Sequence, residues 1–142
     1  MDKRETSRRV NVVVGVDVQS MDEVAASLET FGTRNTRRLF TSHEIECRLR
    51  DSSSVASSYA GRFGAKEAVI KILNPQEIVP SWTEIEVRDS TSGGAEIVLR
   101  GIAAELAQRK GIVDISVSIS HGGGLAVAAV VANLEIRRSG RL

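Results

Sequence analysis

The sequence predicts an α+β domain built on an antiparallel sheet, and three observations carry that prediction. Two stretches, Val12–Val18 near the start and Val113–Ser120 near the end, have the two-residue period of strands. Glycine-rich turns, Ser92-Gly93-Gly94 and His121-Gly122-Gly123-Gly124, each join one strand pattern to the next, so neighbouring strands run antiparallel. Elsewhere apolar residues recur at helical spacing behind capping residues. The predicted order is strand, three helices, two strands, helix, two strands.

The first strand puts Val12, Val14, Val16 and Val18 on one face and Gly15 with Asp17 on the other. Ser20 and Glu23 form a capping box, after which Val24, Leu28 and Phe31 keep helical spacing until Gly32 ends the turn. Thr41 and Glu44 repeat the signature for a second helix. Asp51 to Ser58 is serine-rich and low in complexity, and is expected to be a mobile loop. The third helix starts near Ser57 or Ser58 and stops at Asn74-Pro75; its Gly61 and Gly64 each cost about 1 kcal/mol relative to alanine, which points to close packing. Thr83–Asp89 and Ala95–Leu99 form a hairpin, and Ile102–Lys110 is a short helix. In the last hairpin Val113, Ile115, Val117 and Ile119 share a face; the returning strand, Leu125–Ala132, is apolar throughout and is expected to be buried on both faces.

A chain of 142 residues has the usual length of one domain, here taken as residues 1–142 with flexible ends at 1–10 and 134–142. The single Cys47 leaves no disulfide framework and no thiolate cluster for zinc; it reads as inert packing in a reducing, cytoplasmic compartment. No apolar run approaches the roughly 20 residues that span a bilayer, and residues 1–10 do not resemble a targeting signal. A net charge of +1 argues against a general nucleic-acid binder, with Arg137, Arg138 and Arg141 read as a solvated basic tail.

Two acids break these patterns. At 100° per residue Glu67 falls on the same helix face as Tyr59, Ala60, Phe63 and Ile70, where another hydrophobe is expected. Burying it unpaired costs roughly several kcal/mol, so it needs an arginine, an amide cluster or a metal ion. Asp17 stands in a strand, where aspartate is depleted, beside a glycine that signals close approach of a backbone or ligand. A strand-end carboxylate capping the next helix is the plainer reading of Asp17.

Gly15-Val16-Asp17-Val18, Gly61-Arg62-Phe63 with Ala65-Lys66-Glu67-Ala68 and Lys71, Trp82 before Ile85-Glu86-Val87, and Val117-Ser118-Ile119-Ser120-His121 together resemble holo-acyl-carrier-protein synthases, the small phosphopantetheinyl transferases. The resemblance runs from about Val12 to Ala132. It implies a phosphopantetheinyl transferase-like fold and transfer of the phosphopantetheine arm of coenzyme A, the co-substrate, to a serine of an apo acyl carrier protein, with adenosine bisphosphate released. It further implies magnesium held by Asp17 and Glu67, which suits an ion content with one or two carboxylates, waters and substrate phosphates. Glu67 and Lys71 are then catalytic. A metal-adjacent water relayed through Glu67 is the preferred base for the serine proton, with Glu67 acting directly as the alternative. Lys71, Arg62, Lys66 and His121 are the expected cofactor contacts, in falling order for the first three. Without the resemblance, Lys71 reads as an i,i+4 surface partner of Glu67, and His121 as a turn residue.

Several positions depart from the family pattern. Gly122, Gly123 and Gly124 follow His121 where an Asp, Thr or Glu is usual, and Ser92-Gly93-Gly94-Ala95 lacks a Gly-Arg-Pro-like turn. The first helix carries Asp22, Glu23 and Glu29 and no base, so the expected carrier contacts move to Arg34, Arg37 and Arg38. A homotrimer is implied by the resemblance, with Val127, Val130 and Val131 as intersubunit contacts. A magnesium-dependent nucleotide diphosphate hydrolase and a non-catalytic coenzyme A-binding homologue are the alternative functions. No nucleic acid or membrane partner is expected.

Overall fold

The computed structural model of the protein describes residues 11–48 in full, the backbone alone of 49 and 50, and residues 54–135. The expected ends at 1–10 and the basic tail at Arg137, Arg138 and Arg141 lie outside the described residues. In chain order the elements are β1 (Asn11–Ser20), α1 (Met21–Leu39), α2 (Ser42–Arg50), α3 (Val55–Leu73), a 3-10 turn (Trp82–Glu84), β2 (Ile85–Asp89), β3 (Ala95–Leu99), α4 (Gly101–Lys110), β4 (Ile112–Gly122) and β5 (Leu125–Leu134). The five strands form one antiparallel sheet in the order β1-β5-β4-β3-β2. This is the α+β, antiparallel architecture the sequence predicts.

Local chemistry sets most boundaries. The Glu23 N–H donates to Ser20 Oγ at 3.2 Å to open α1. Gly32, at φ 60° and ψ −158°, breaks that helix as expected, but the chain resumes helically through Leu39. Thr33 to Thr36 hold no apolar residue, so this second segment has no hydrophobic period to reveal it. At α2 the capping box is reciprocal: Thr41 N–H donates to Glu44 Oε1 at 2.9 Å, and Glu44 N–H to Thr41 Oγ1 at 3.2 Å. Ser54 caps α3, accepting from the Ser57 N–H at 3.1 Å. The helix therefore starts at Val55, and the expected loop at 51–58 is already helical over its second half.

The core lies between α3 and one face of the sheet, where Ala68, Val69, Ile72 and Leu73 meet Ile85, Val130 and Ala132, closed at the far end by Ala103 and Ala107 of α4. Small residues let helix and sheet touch: a Cβ on Gly15 would overlap the Ala68 carbonyl oxygen, and one on Gly61 would stand 2.9 Å from Ile119 Cγ2 and 3.0 Å from His121 Nε2. Both glycines mark the close approaches expected of them.

Three expectations fail here. Val113 is 67% exposed, because a bulge between Ile112 and Asp114 takes it out of the pleat shared by Ile115, Val117 and Ile119. Leu134 belongs to β5, paired with Asn11 and Ile112, and the Glu135 N–H donates to Gly111 O at 2.7 Å, so the ordered chain runs past the expected end. Val130 is fully buried against α3 and cannot be an intersubunit contact, whereas Val131 projects from the opposite face, 38% exposed. On that opposite face Val12, Val14, Val16 and Val18 are 48–60% exposed.

Candidate active site

The β1–α3 contact assembles the first cluster. Because Gly15 lets the helix backbone onto the strand, Asp17, two residues on, reaches the helix at Gly64, whose missing Cβ would lie 3.7 Å from Asp17 Oδ2. Both Asp17 oxygens are engaged: Gln19 Nε2 donates to Oδ2 at 2.6 Å, and the Lys71 ammonium lies 3.3 Å from Oδ1. Lys71 also donates to the Val16 carbonyl at 2.7 Å. Lys71 therefore bridges helix and strand instead of pairing along its own helix with Glu67.

Glu67 stands half-buried on the same side of α3. Burial first, and then the charge of Asp17, push its carboxyl above the usual carboxylate range, while Lys71 pulls the other way. Two carboxylates that repel one another in a partly dry site suit a small hard cation between them. Among the described residues no group of three or more His, Cys, Asp or Glu side chains stands together. The pair therefore fits an ion that completes its shell with water and phosphate oxygens.

The deeply buried charge is Lys66, one residue earlier. Its ammonium, without solvent exposure, donates to Glu44 Oε1 at 2.7 Å, to the Trp82 carbonyl at 3.0 Å and to the Ile85 carbonyl. All three of its protons are spent inside the protein. Lys66 therefore does not contact a cofactor, contrary to the sequence expectation; it ties α3 to α2 and β2. Glu44, equally buried, also takes the Val87 N–H at 3.1 Å. The capping box gave Glu44 a role in sequence, and nothing local signalled that the same carboxylate crosses to another helix.

The remaining predicted residues lie apart from this cluster. Arg62 points along the Lys66 stripe, toward α2 and β2, with Nη1 donating to Ser58 Oγ at 2.7 Å and Nη2 standing 3.8 Å from Asp89 Oδ1. His121, exposed at the β4 end, hydrogen-bonds through Nε2 to the Ser57 carbonyl at 2.9 Å and lies against Gly61. Gly122 to Gly124 have no neighbour where a side chain would start, so that tip is open. Arg34, Arg37 and Arg38 are exposed on the second segment of α1. Arg37 and Arg38 line a groove of about 720 Å³ with Val79, Pro80 and Trp82. A smaller cleft, about 180 Å³, opens beside Gln19 between Val24, Leu28, Leu39, Phe40 and Phe63. Gln19 carried no signal in sequence, although it links this cleft to Asp17.

The 4′-phosphopantetheinyl transferase superfamily matches residues 13–130, a span that contains Asp17, Glu67 and Lys71. The chain belongs to that superfamily. It is 38% identical over 119 residues to the holo-acyl-carrier-protein synthase of Desulforudis audaxviator, covering 84% of this chain and 90% of that one. Among solved structures it resembles the apo-ACPS of Chronobacterium ammoniagenes, at a TM-score of 0.79 and 31% identity, covering 90% and 100% of the two chains. The ACPS–CoA complex from the same organism matches at a TM-score of 0.77 and 30% identity, over 89% of this chain and 99% of that one. The matched span runs from β1 into β5. No helix among the described residues is long and apolar enough to cross a membrane.

Proposed function

We propose that the protein transfers the phosphopantetheine arm of coenzyme A to a serine hydroxyl of an apo acyl carrier protein, releasing adenosine bisphosphate, as a magnesium-dependent cytoplasmic enzyme. One observation carries this reading: Asp17, Glu67 and Lys71 meet where β1 touches α3, in a chain whose relatives are synthases of that kind and include a complex with coenzyme A. Magnesium, when bound by Asp17 and Glu67, would neutralise charge on the diphosphate oxygens.

The chain's own residues account for the rest. Lys71 uses two of its three protons on Val16 and Asp17, leaving the third for a phosphate oxygen on its half-exposed side. Glu67 is assigned to take the serine proton, directly or through one water. The serine oxygen forms a bond to the phosphorus that carries the pantetheine, the bond from that phosphorus to the bridging oxygen breaks, and adenosine bisphosphate leaves. Arg62, on the helix that bears Glu67, and His121, which packs against that helix at Gly61, are assigned to the nucleotide half of coenzyme A.

The exposed Arg34, Arg37 and Arg38 are assigned to an acidic carrier. The four half-exposed valines of β1, with Val127 and Val131, form the apolar face of a homotrimer, since single domains seldom leave such a face in water. The experiment is mass spectrometry of candidate apo-carriers incubated with coenzyme A and magnesium. A phosphopantetheine mass increment supports the reading. Release of adenosine bisphosphate without it makes the protein a hydrolase, and neither product makes it a binding homologue.

A further inference from the structure

We infer that Gln19 sets which ion the acidic pair accepts: it holds one oxygen of Asp17 and leaves the other for a cation, which favours magnesium over calcium. The inference rests on the magnesium reading of Asp17 and Glu67 above. Gln19 follows Asp17 by two residues, so both side chains leave β1 on the face that meets α3. There Gln19 Nε2 donates to Asp17 Oδ2 at 2.6 Å, a short bond for an amide and a carboxylate. Gln19 acts through Asp17, as a positioning residue.

The two Asp17 oxygens have different surroundings. Oδ2 is covered, because Gly64 of α3 stands over the bond, with its absent Cβ 3.5 Å from Gln19 Cγ and 3.7 Å from Oδ2. Oδ1 lies on the Lys71 side, where the ammonium is 3.3 Å away on a side chain that is half-exposed. Lys71 keeps its shorter bond, 2.7 Å, for the Val16 carbonyl, so its hold on Oδ1 is the weaker. The Asp17 side chain is only 14% exposed, which leaves little water to replace the amide on Oδ2. Among the described residues the Gln19 side chain has no other hydrogen-bond partner, so nothing draws it away from Asp17.

Ion size makes this asymmetry matter. Calcium gathers many oxygens in a flexible shell and uses both oxygens of one carboxylate readily, whereas magnesium is smaller, demands near-octahedral geometry and keeps its waters. A carboxylate with one oxygen already bonded offers a single ligand atom, which suits the smaller ion. Calcium could take both oxygens only by breaking the Gln19 bond. The amide is neutral, so it imposes this choice without the repulsion that a lysine or arginine at the same place would exert on any cation.

Calorimetric titration of the full chain, saturated with coenzyme A, with magnesium chloride and with calcium chloride reads the ratio of the two affinities. Gln19→Met, similar in length and without a donor, is expected to raise calcium affinity relative to magnesium about tenfold, the scale of one hydrogen bond to a charged group. Gln19→Leu serves if the methionine variant does not fold. Gln19→Lys restores a donor and should return the ratio to the wild-type value while weakening both ions. In carrier labelling, calcium should inhibit Gln19→Met at lower concentrations than wild type. A purely structural role would weaken both ions alike, so an unchanged ratio in the folded methionine or leucine variant overturns the role of Gln19 and leaves the magnesium reading standing. A wild type that binds neither ion, with or without coenzyme A, defeats the magnesium reading and this inference together.

Discussion

The Lys66 ammonium and the Glu44 carboxylate, both without solvent exposure, lie 2.7 Å apart and 22 residues apart in sequence. Every proton of Lys66 is bonded, and Glu44 accepts from two backbone N–H groups besides. Burial first, and then the charge of Arg62, lower the affinity of Lys66 for its proton, with Glu44 and Glu86 acting against that. Removing one partner strands the other, so Lys66→Met and Glu44→Gln should each cost about 3–5 kcal/mol. The double variant Lys66→Met, Glu44→Leu should recover part of that loss. Urea unfolding of the three variants checks this, and equal losses in singles and double would show that packing, not charge, dominates.

The proposed function makes the signs reverse at the β1–α3 contact, where it gives Asp17 and Glu67 to a ligand. Asp17→Ala or Glu67→Ala should abolish carrier labelling while leaving the circular dichroism spectrum intact. Glu67→Gln should raise the unfolding midpoint at neutral pH, since a half-buried carboxylate beside another is a cost to the ligand-free protein. Near-normal labelling in both alanine variants at saturating carrier and coenzyme A would remove the pair from the active site.

Two acids should set opposite pH dependences of stability. Glu67 has a folded pKa above its unfolded value, so the fold binds its proton more tightly, and its contribution is lost as pH rises through that raised value. Glu86 is the converse: burial would raise it, but hydrogen bonds from Thr41, Arg88 and Arg100 win and hold it at about 2, against 4.5 when unfolded. Its contribution is complete above pH 4.5 and is lost as pH falls toward about 2. Comparing Glu67→Gln and Glu86→Gln with wild type by urea unfolding from pH 3 to 8 should give differences that move oppositely on acidification.

Much of this was legible in the residues. The two-residue period gave the sheet, and Gly15 with Asp17 marked the strand position where the helix touches down, because both depart from strand propensity at one place. What escaped was non-local or locally silent. The helical turn after Gly32 has no apolar residue before Leu39, and the bulge at Val113 leaves the alternation in the sequence untouched. Lys66 looked like a ligand because it adjoins Glu67, yet one residue is 100° around a helix and faces a different element. The period of β1 put its four valines on one face without saying what covers them, and that face is exposed.

Carrier recognition offers the sharpest departure from a basic first helix. The opening segment of α1 carries Asp22, Glu23 and Glu29, and positive charge begins only after the Gly32 break, at Arg34, Arg37 and Arg38. These three are exposed, and Arg37 and Arg38 border the groove formed with Val79 and Trp82. Rim charges act mainly on association rate and its salt dependence. Reversing all three to glutamate should therefore slow carrier capture, with coenzyme A affinity unchanged, and added salt should produce the same defect in wild type. The expected signature is a raised apparent KM for the carrier, kcat largely retained, and a flattened salt response in the variant. Unchanged carrier KM and salt response in the reversal variant would leave the arginines as solvated charge, and would move recognition to the apolar cleft beside Gln19, where Val24, Leu28 and Phe63 offer contacts that salt does not weaken.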